Sequence, residues 1–277
     1  MSEVAVPRIS LGYRLAAGTA FTVMRLQRWE FDVEGIEHVP QRGGAVIAAN
    51  HTSYWDFFAA GRGPYRAWGR PVRILAKASL FDTPVFGRVL RHTGHIPVHR
   101  SAGTRAYTSA VAALRRGELV LVLPEQTISP SFELLPLKSG VVRMAAAADV
   151  PVVPAVTWGT HRFHTVGRRP RWTWRLPVSV AYGRPLVPSL AADAGTAMAE
   201  LRERLLGLLE RVQRRYPDGA PPGAWWVPQR LGGSAPSPAE VAEHLAALER
   251  RWRDTVAVAR DRARRGVSRR RRGRRRR

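Results

Sequence analysis

Cysteine is absent from the 277-residue chain. Disulfides, thiolate metal sites and a cysteine nucleophile are therefore excluded, which fits a reducing compartment. Long apolar runs are also missing. The longest uncharged stretch near the N-terminus, LAAGTAFTVM over 15–24, has ten residues, about half of the ~20 that a spanning helix needs. No charged segment followed by an apolar run and a small-residue cleavage site opens the chain, so neither a signal peptide nor a transmembrane anchor is expected. Lysine is scarce: Lys77 and Lys138 are the only two among 45 basic residues. A coding bias towards arginine accounts for this simply, and it singles out the two lysines that remain.

What the chain has in excess is positive charge. The formal net charge is +24, and residues 250–277 hold 15 Arg against Asp254 and Asp261. Such a basic body with a still more basic tail calls for an anionic partner, either nucleic acid or an anionic membrane surface. Nucleic-acid binding through the tail would want aromatic residues interleaved with the charge for stacking. Residues 260–277 contain none, so the membrane surface is the expected partner and the tail is expected to be disordered. With 45% hydrophobic residues, the remainder is long enough to bury one substantial core.

Apolar runs and breakers alternate along the chain. Residues 9–29 read as an amphipathic helix with Arg14, Arg25 and Arg28 in one narrow stripe. Leu15, Ala16, Val23 and Leu26 lie away from that stripe, although Phe21 falls within it. The helix fits a membrane interface and fits equally well a surface helix packed on the domain. AVIAAN (45–50) reads as a short buried strand, followed by a helix from Ser53 to about Gly61. Further strands are expected in VRILAKASL (72–80), HIPVHR (95–100), LVLVLP (119–124), PVVPAVTW (151–158) and SVAYGRPL (179–186). Helices are expected over 102–116, 139–149, 190–215 and 238–259. This alternation predicts an α/β fold, a mixed, largely parallel sheet covered by helices on both faces.

The stretch NHTSYWD places His51 five residues before Asp56, between a strand end and a helix start. One reading makes His51 a general base and Asp56 the carboxylate that holds its ring and stabilises the imidazolium. The other makes Ser53 and Asp56 a capping box, S-x-x-D, with no chemistry attached. Spacing alone leaves both open. Downstream, GHIPVHR ends a strand with Arg100, and LPEQTIS ends the most apolar strand with Glu125 and Thr127. Polar residues just past strand C-termini are where open α/β sheets bind ligands. Lys138 stands two residues before Gly140 at the head of a helix, where one cation and free backbone N–H groups suit a phosphate.

NHTSYWD, GHIPVHR, LPEQTISPSFELLPLKSG and VPVVPAV together resemble, in order and spacing, the four motifs of the glycerolipid acyltransferase family, which contains the 1-acyl-glycerol-3-phosphate acyltransferases. The resemblance covers about residues 30–190, and the arginine bias is similar to versions from high-GC Gram-positive bacteria. It implies a glycerol-3-phosphate acyltransferase-like fold and a charge-relay pair of His51 and Asp56. It also implies an acceptor phosphate held by Arg100 and the Glu125/Thr127 segment, and an acyl-donor site lined by the VPVVPAV strand. It implies no metal, no cofactor beyond the acyl-CoA or acyl-carrier-protein donor, and no covalent acyl-enzyme. The expected activity is acyl transfer to lysophosphatidate at the cytoplasmic face of the cell membrane. The family's third motif usually reads Pro-Glu-Gly-Thr, whereas Gln126 stands here in place of the glycine. That departure leaves open a different lipid or glycolipid acceptor, or a catalytically weak lipid-binding homologue. The expected organisation is an interfacial helix over 1–29, an acyltransferase domain over 30–216, a Pro/Gly-rich segment with a polar helix over 217–259, and the tail over 260–277.

Overall fold

A computed structural model describes residues 11–99, 103–190 and 193–251. Arg100, the tail 260–277 and the last residues of the expected 238–259 helix lie outside the described residues. Seven strands form one sheet: β1 (Glu30–Glu34), β2 (Ala45–Ala49), β3 (Val72–Lys77), β4 (Ile96–Val98), β5 (Leu119–Val122), β6 (Val152–Trp158) and β7 (Pro177–Tyr182). Their spatial order is β1-β7-β6-β2-β5-β3-β4. All neighbours pair parallel except β6 with β7. β2, β5, β6 and β7 are buried along their whole length, which is why they read as unbroken apolar runs rather than alternating ones.

Helices cover both faces of that sheet. Val46 and Ala48 of β2 pack with α4 (Gly103–Arg115), α5 (Gly140–Ala148) and α6 (Ala194–Arg215). Ala45, Ile47 and Ala49 pack on the opposite face with α2 (Asp56–Trp68) and with Met24 of α1 (Leu11–Leu26). The period-two alternation of strand side chains thus assigns successive residues of one strand to two separate cores.

Two elements escaped the apolar pattern. β1 is an edge strand, EFDVE, whose charged residues face outward, and α3 (Phe86–His92) is only seven residues long. α2 also runs further than expected, through Gly61, Gly63 and Pro64 to Trp68. Pro64 has no N–H, so the Ala60 carbonyl loses its helical donor. The Tyr182 hydroxyl donates to that carbonyl at 2.5 Å instead, and only a glycine at 63 leaves room for it, since a Cβ there would lie 2.4 Å from the same oxygen.

The described residues up to Ala235 form one compact unit and those from Pro236 a second. This moves the expected boundary at 216. The Pro/Gly-rich stretch carries Trp226, Val227 and Ala235 into the core shared with α6, and apolar anchors outweigh its turn-rich composition. In the second unit a helix runs over 238–251, opened by a capping box in which Glu240 Oε2 accepts from Ser237 N at 2.7 Å.

Candidate active site

The site is built where β2 ends, in the centre of the sheet. Asn50 closes the strand by pairing its side-chain amide with the backbone of Thr157 at the end of β6. Its Oδ1 accepts from Thr157 N at 2.8 Å and its Nδ2 donates to Thr157 O at 3.1 Å. His51 follows directly. Its backbone N–H donates to Glu125 Oε1 at 2.6 Å, and its carbonyl accepts from Ser129 N at 2.7 Å. The main chain at His51 is therefore held from both sides by the segment after β5.

The His51 side chain turns towards Asp56, with Nδ1 3.1 Å from Asp56 Oδ2. Asp56 is fully buried. The same Oδ2 accepts from Thr52 N at 2.6 Å and Ser53 N at 2.7 Å. Oδ1 accepts from the hydroxyls of Thr157 at 2.9 Å and Thr160 at 2.6 Å. Five donors and no acceptor converge on this group, an arrangement that fits an acceptor-only carboxylate. A carboxylate facing Nδ1 fixes the ring as the Nδ1–H tautomer, leaving Nε2 as the basic nitrogen. The Asp56 bond to Ser53 N is only half of the expected capping box, because the Ser53 hydroxyl accepts from Trp55 N at 3.0 Å and the N-cap of α2 is Trp55, with no side-chain cap bond. One carboxylate starts the helix and orients the histidine.

Glu125 takes a different place from the one the family resemblance implies. Oε1 holds His51 N and Oε2 accepts from Leu135 N at 2.9 Å, so its oxygens fasten the loop under the histidine rather than face a phosphate. Burial pushes its carboxyl up to about 8, against the two amide bonds, which favour the charged form. The folded value lies above the ordinary 4.5, so between the two the folded chain holds the extra proton and stability falls as pH rises towards about 8. His95 and His161, pushed down to about 4 by burial, act with the opposite sign, but their effect ends near 6.5. Urea denaturation is therefore expected to show stability declining between about pH 6.5 and about pH 8. Glu125→Gln should start from a lower baseline, because its amide NH2 faces one of the two donors, and should lose the decline. A decline that persists in the variant would assign it elsewhere.

Gln126 is exposed and adopts φ +60°, the left-handed conformation that glycine reaches freely. A side chain there costs roughly 1–2 kcal/mol, whereas glycine's extra chain entropy costs about 0.5–1 kcal/mol. Gln126→Gly is thus expected to raise stability slightly, by up to ~1 kcal/mol. Gln126→Val should lower it, since β-branched residues tolerate positive φ least. Denaturant melts of the pair check the sign. Lys138 is exposed, and its backbone N–H donates to Pro124 O at 3.0 Å, which brings the start of α5 beside the Glu125 segment. Thr127 is half-buried in the same loop. The VPVVPAV strand is β6, whose side chains are all buried in the sheet. What it brings to the site is Thr157.

Asn50, Thr157, Thr160 and Thr165 were not visible as site residues in the sequence. Thr165 Oγ1 donates to Thr52 O at 2.6 Å, and Ser53 Oγ donates to His164 O at 2.6 Å. The segment after β6 thereby fixes the His51–Asp56 loop from the other side.

A family model described as Acyltransferase matches residues 30–158, the span that contains β1 to β6 and both members of the pair. Over that span the chain is similar to the acyltransferase family. A 1-acyl-sn-glycerol-3-phosphate acyltransferase of Limnanthes alba is 30% identical over 188 residues, covering 65% of this chain and 62% of that protein. One of the same name from Bacillus subtilis is 27% identical over 206 residues, covering 73% and 94%. The chain spans about two to three fifths of the length of its plant relatives. The crystal structure of the acyltransferase PlsC from Thermotoga maritima superposes with a TM-score of 0.58 at 24% identity, over 72% of this chain and 78% of that one. That superposition shares the mixed, mostly parallel sheet described above.

Proposed function

We propose that this acyltransferase moves a fatty acyl group from acyl-CoA or acyl-carrier protein to the free hydroxyl of 1-acyl-glycerol-3-phosphate, giving phosphatidic acid. The observation that carries the reading is the His51–Asp56 pair with its five-donor carboxylate. The names of the family relatives agree with it. His51 Nε2 takes the proton as the acceptor hydroxyl attacks the thioester carbon. Asp56 stabilises the resulting imidazolium. The carbon–sulfur bond then breaks, and the proton passes from His51 to the departing thiolate. The scheme uses no metal and no covalent acyl-enzyme.

Lys138 is the cation we assign to the acceptor phosphate. Among the described residues it has no side-chain partner of its own. Radiolabelled acyl-CoA offered with a panel of lyso-lipid and glycolipid acceptors tests the reading. Label in phosphatidate supports it, and label only in another lipid overturns the acceptor. That second acceptor class is favoured by one feature, Gln126 at the position where the family usually has glycine. Lys138→Ala is expected to raise KM for lysophosphatidate about tenfold, a figure reduced for the solvent exposure of the lysine. The donor KM should stay unchanged, and equal changes in both would remove Lys138 from the phosphate.

The membrane face is assigned to α1. Leu11, Leu15 and Leu26 are 71%, 65% and 58% exposed, beside exposed Arg14 and Arg25, while Ala20 and Met24 pack inward. The outward face therefore combines leucines with arginines instead of separating them as expected, a combination suited to the headgroup boundary of an anionic leaflet. Among the described residues no helix is long and apolar enough to cross a membrane. We place the enzyme at the cytoplasmic face, where anionic lipid meets the formal charge of +24.

A further inference from the structure

Beyond β6 the chain builds a cavity of about 300 Å³ that the His51 chemistry does not use. A 3₁₀ turn over Thr160–Arg162 leads into it. Arg168 N–H then donates to Thr165 O at 3.3 Å across a turn in which Gly167 takes φ +73°. Arg171 N–H returns to Phe163 O at 2.8 Å. This reversal gathers Arg162, Arg168, Arg169 and Arg171 around one space that Trp225 also lines.

Among the described residues no carboxylate lines that space. Arg162 is matched by Asp218 and by the Tyr216 hydroxyl at 3.0 Å. Arg168 lies over the Trp225 ring at 4.0 Å. Among the described residues Arg169 and Arg171 make no ion pair. Three like charges brought together without a counter-charge repel one another, and a phosphate would relieve that repulsion by accepting several forked guanidinium bonds. His161 lies at the back of the cavity, fully buried. Its Nε2 faces Trp226 O at 3.1 Å and its Nδ1 faces no partner.

The sheet order says which substrate this cavity serves. β2, which carries His51, lies between β5 and β6. The β5 side leads to Glu125 and Lys138, and the β6 side leads to the four arginines. Both sides reach the same catalytic loop: His51 N bonds Glu125, while Thr160 and Thr165 bond Asp56 and Thr52. A transferase must bring two substrates to one base, and two separate cationic positions flank it here. With the acceptor phosphate assigned to the Lys138 side, we infer that the arginine-lined cavity holds the phosphate groups of the acyl donor. These are the diphosphate and 3′-phosphate of a coenzyme A thioester, or the phosphodiester of a carrier-borne pantetheine arm. The inference rests on the acyl-transfer reading above.

Arg169→Ala/Arg171→Ala in the full chain tests it, because both side chains are exposed and neither supports the fold. Calorimetric titration with coenzyme A, and with pantetheine as the phosphate-free control, reads the site without any turnover. The double variant is expected to bind coenzyme A about ten- to a hundredfold more weakly, with a difference that shrinks as salt rises. Pantetheine should bind both proteins alike. In steady-state assays the KM for acyl-CoA should rise by a similar factor while the KM for lysophosphatidate holds. A rise confined to acyl-carrier protein would name the carrier-borne phosphodiester as the ligand. Unchanged affinity and KM for both donors, or a rise in the acceptor KM alone, overturns the assignment. If the chain acylates no acceptor yet coenzyme A binding still depends on the two arginines, the donor site stands and the acyl-transfer reading falls.

Discussion

Replacing His51 with alanine is expected to reduce acyl transfer by about 10²–10⁴-fold while leaving the protein folded. The structural work at this position is done by the main chain, which alanine keeps: the N–H to Glu125 and the carbonyl to Ser129. The side chain meets only Asp56 among hydrogen-bond partners and is partly exposed. Asp56 loses one donor of five and remains bonded through Thr52, Ser53, Thr157 and Thr160. The stability cost should therefore stay near ~1 kcal/mol. Acyl transfer from labelled donor, read beside a circular-dichroism melt, checks both halves. A folded variant that retains more than about a tenth of the rate would remove His51 from the proton path.

What the sequence revealed follows from how local each feature is. β2 and β5 are central strands buried on both faces, so their apolar runs were legible without partners. His51 and Asp56 were legible because a strand end and a helix start place them five residues apart. Thr157 and Thr160 were not, since their meaning lies in contact with an aspartate about a hundred residues earlier. A buried threonine at a strand end carries no local sign of that contact. Glu125 was located at the strand end, but it is buried and its two oxygens each accept from a backbone amide, one of them that of His51, a pairing the local sequence does not show. α2 passes Pro64 only because Tyr182 replaces a missing donor from across the sheet, a repair that helix propensity cannot anticipate. Gln126 is the reverse case. Its departure from the family motif was legible, and its positive φ shows what glycine would have supplied there.

Asp56 gives the second large effect, and its two substitutions should separate catalysis from folding. In Asp56→Asn the side-chain carbonyl is drawn to the three N–H donors on the Oδ2 side, those of Thr52, Ser53 and His51. The new NH2 then faces the hydroxyls of Thr157 and Thr160, which accept by rotating. The Thr157 hydroxyl has Asn50 Oδ1 at 3.4 Å as a substitute acceptor. The fold and the Nδ1–H tautomer therefore survive at a cost of about 1 kcal/mol, and what is lost is the negative charge opposite the imidazolium. A fall in rate of about 10² or more is expected with the fold retained. Asp56→Ala removes every carboxylate acceptor and leaves two buried backbone N–H groups and the Thr160 hydroxyl without partners, while the Thr157 hydroxyl keeps only Asn50 Oδ1 at 3.4 Å. That should cost about 3–5 kcal/mol of stability, as well as the activity. Urea denaturation and single-turnover acyl transfer on both variants give the comparison. Asparagine with full activity would reduce Asp56 to a helix-start residue. Alanine as stable as the parent would show that the five bonds to its carboxylate do not hold the loop.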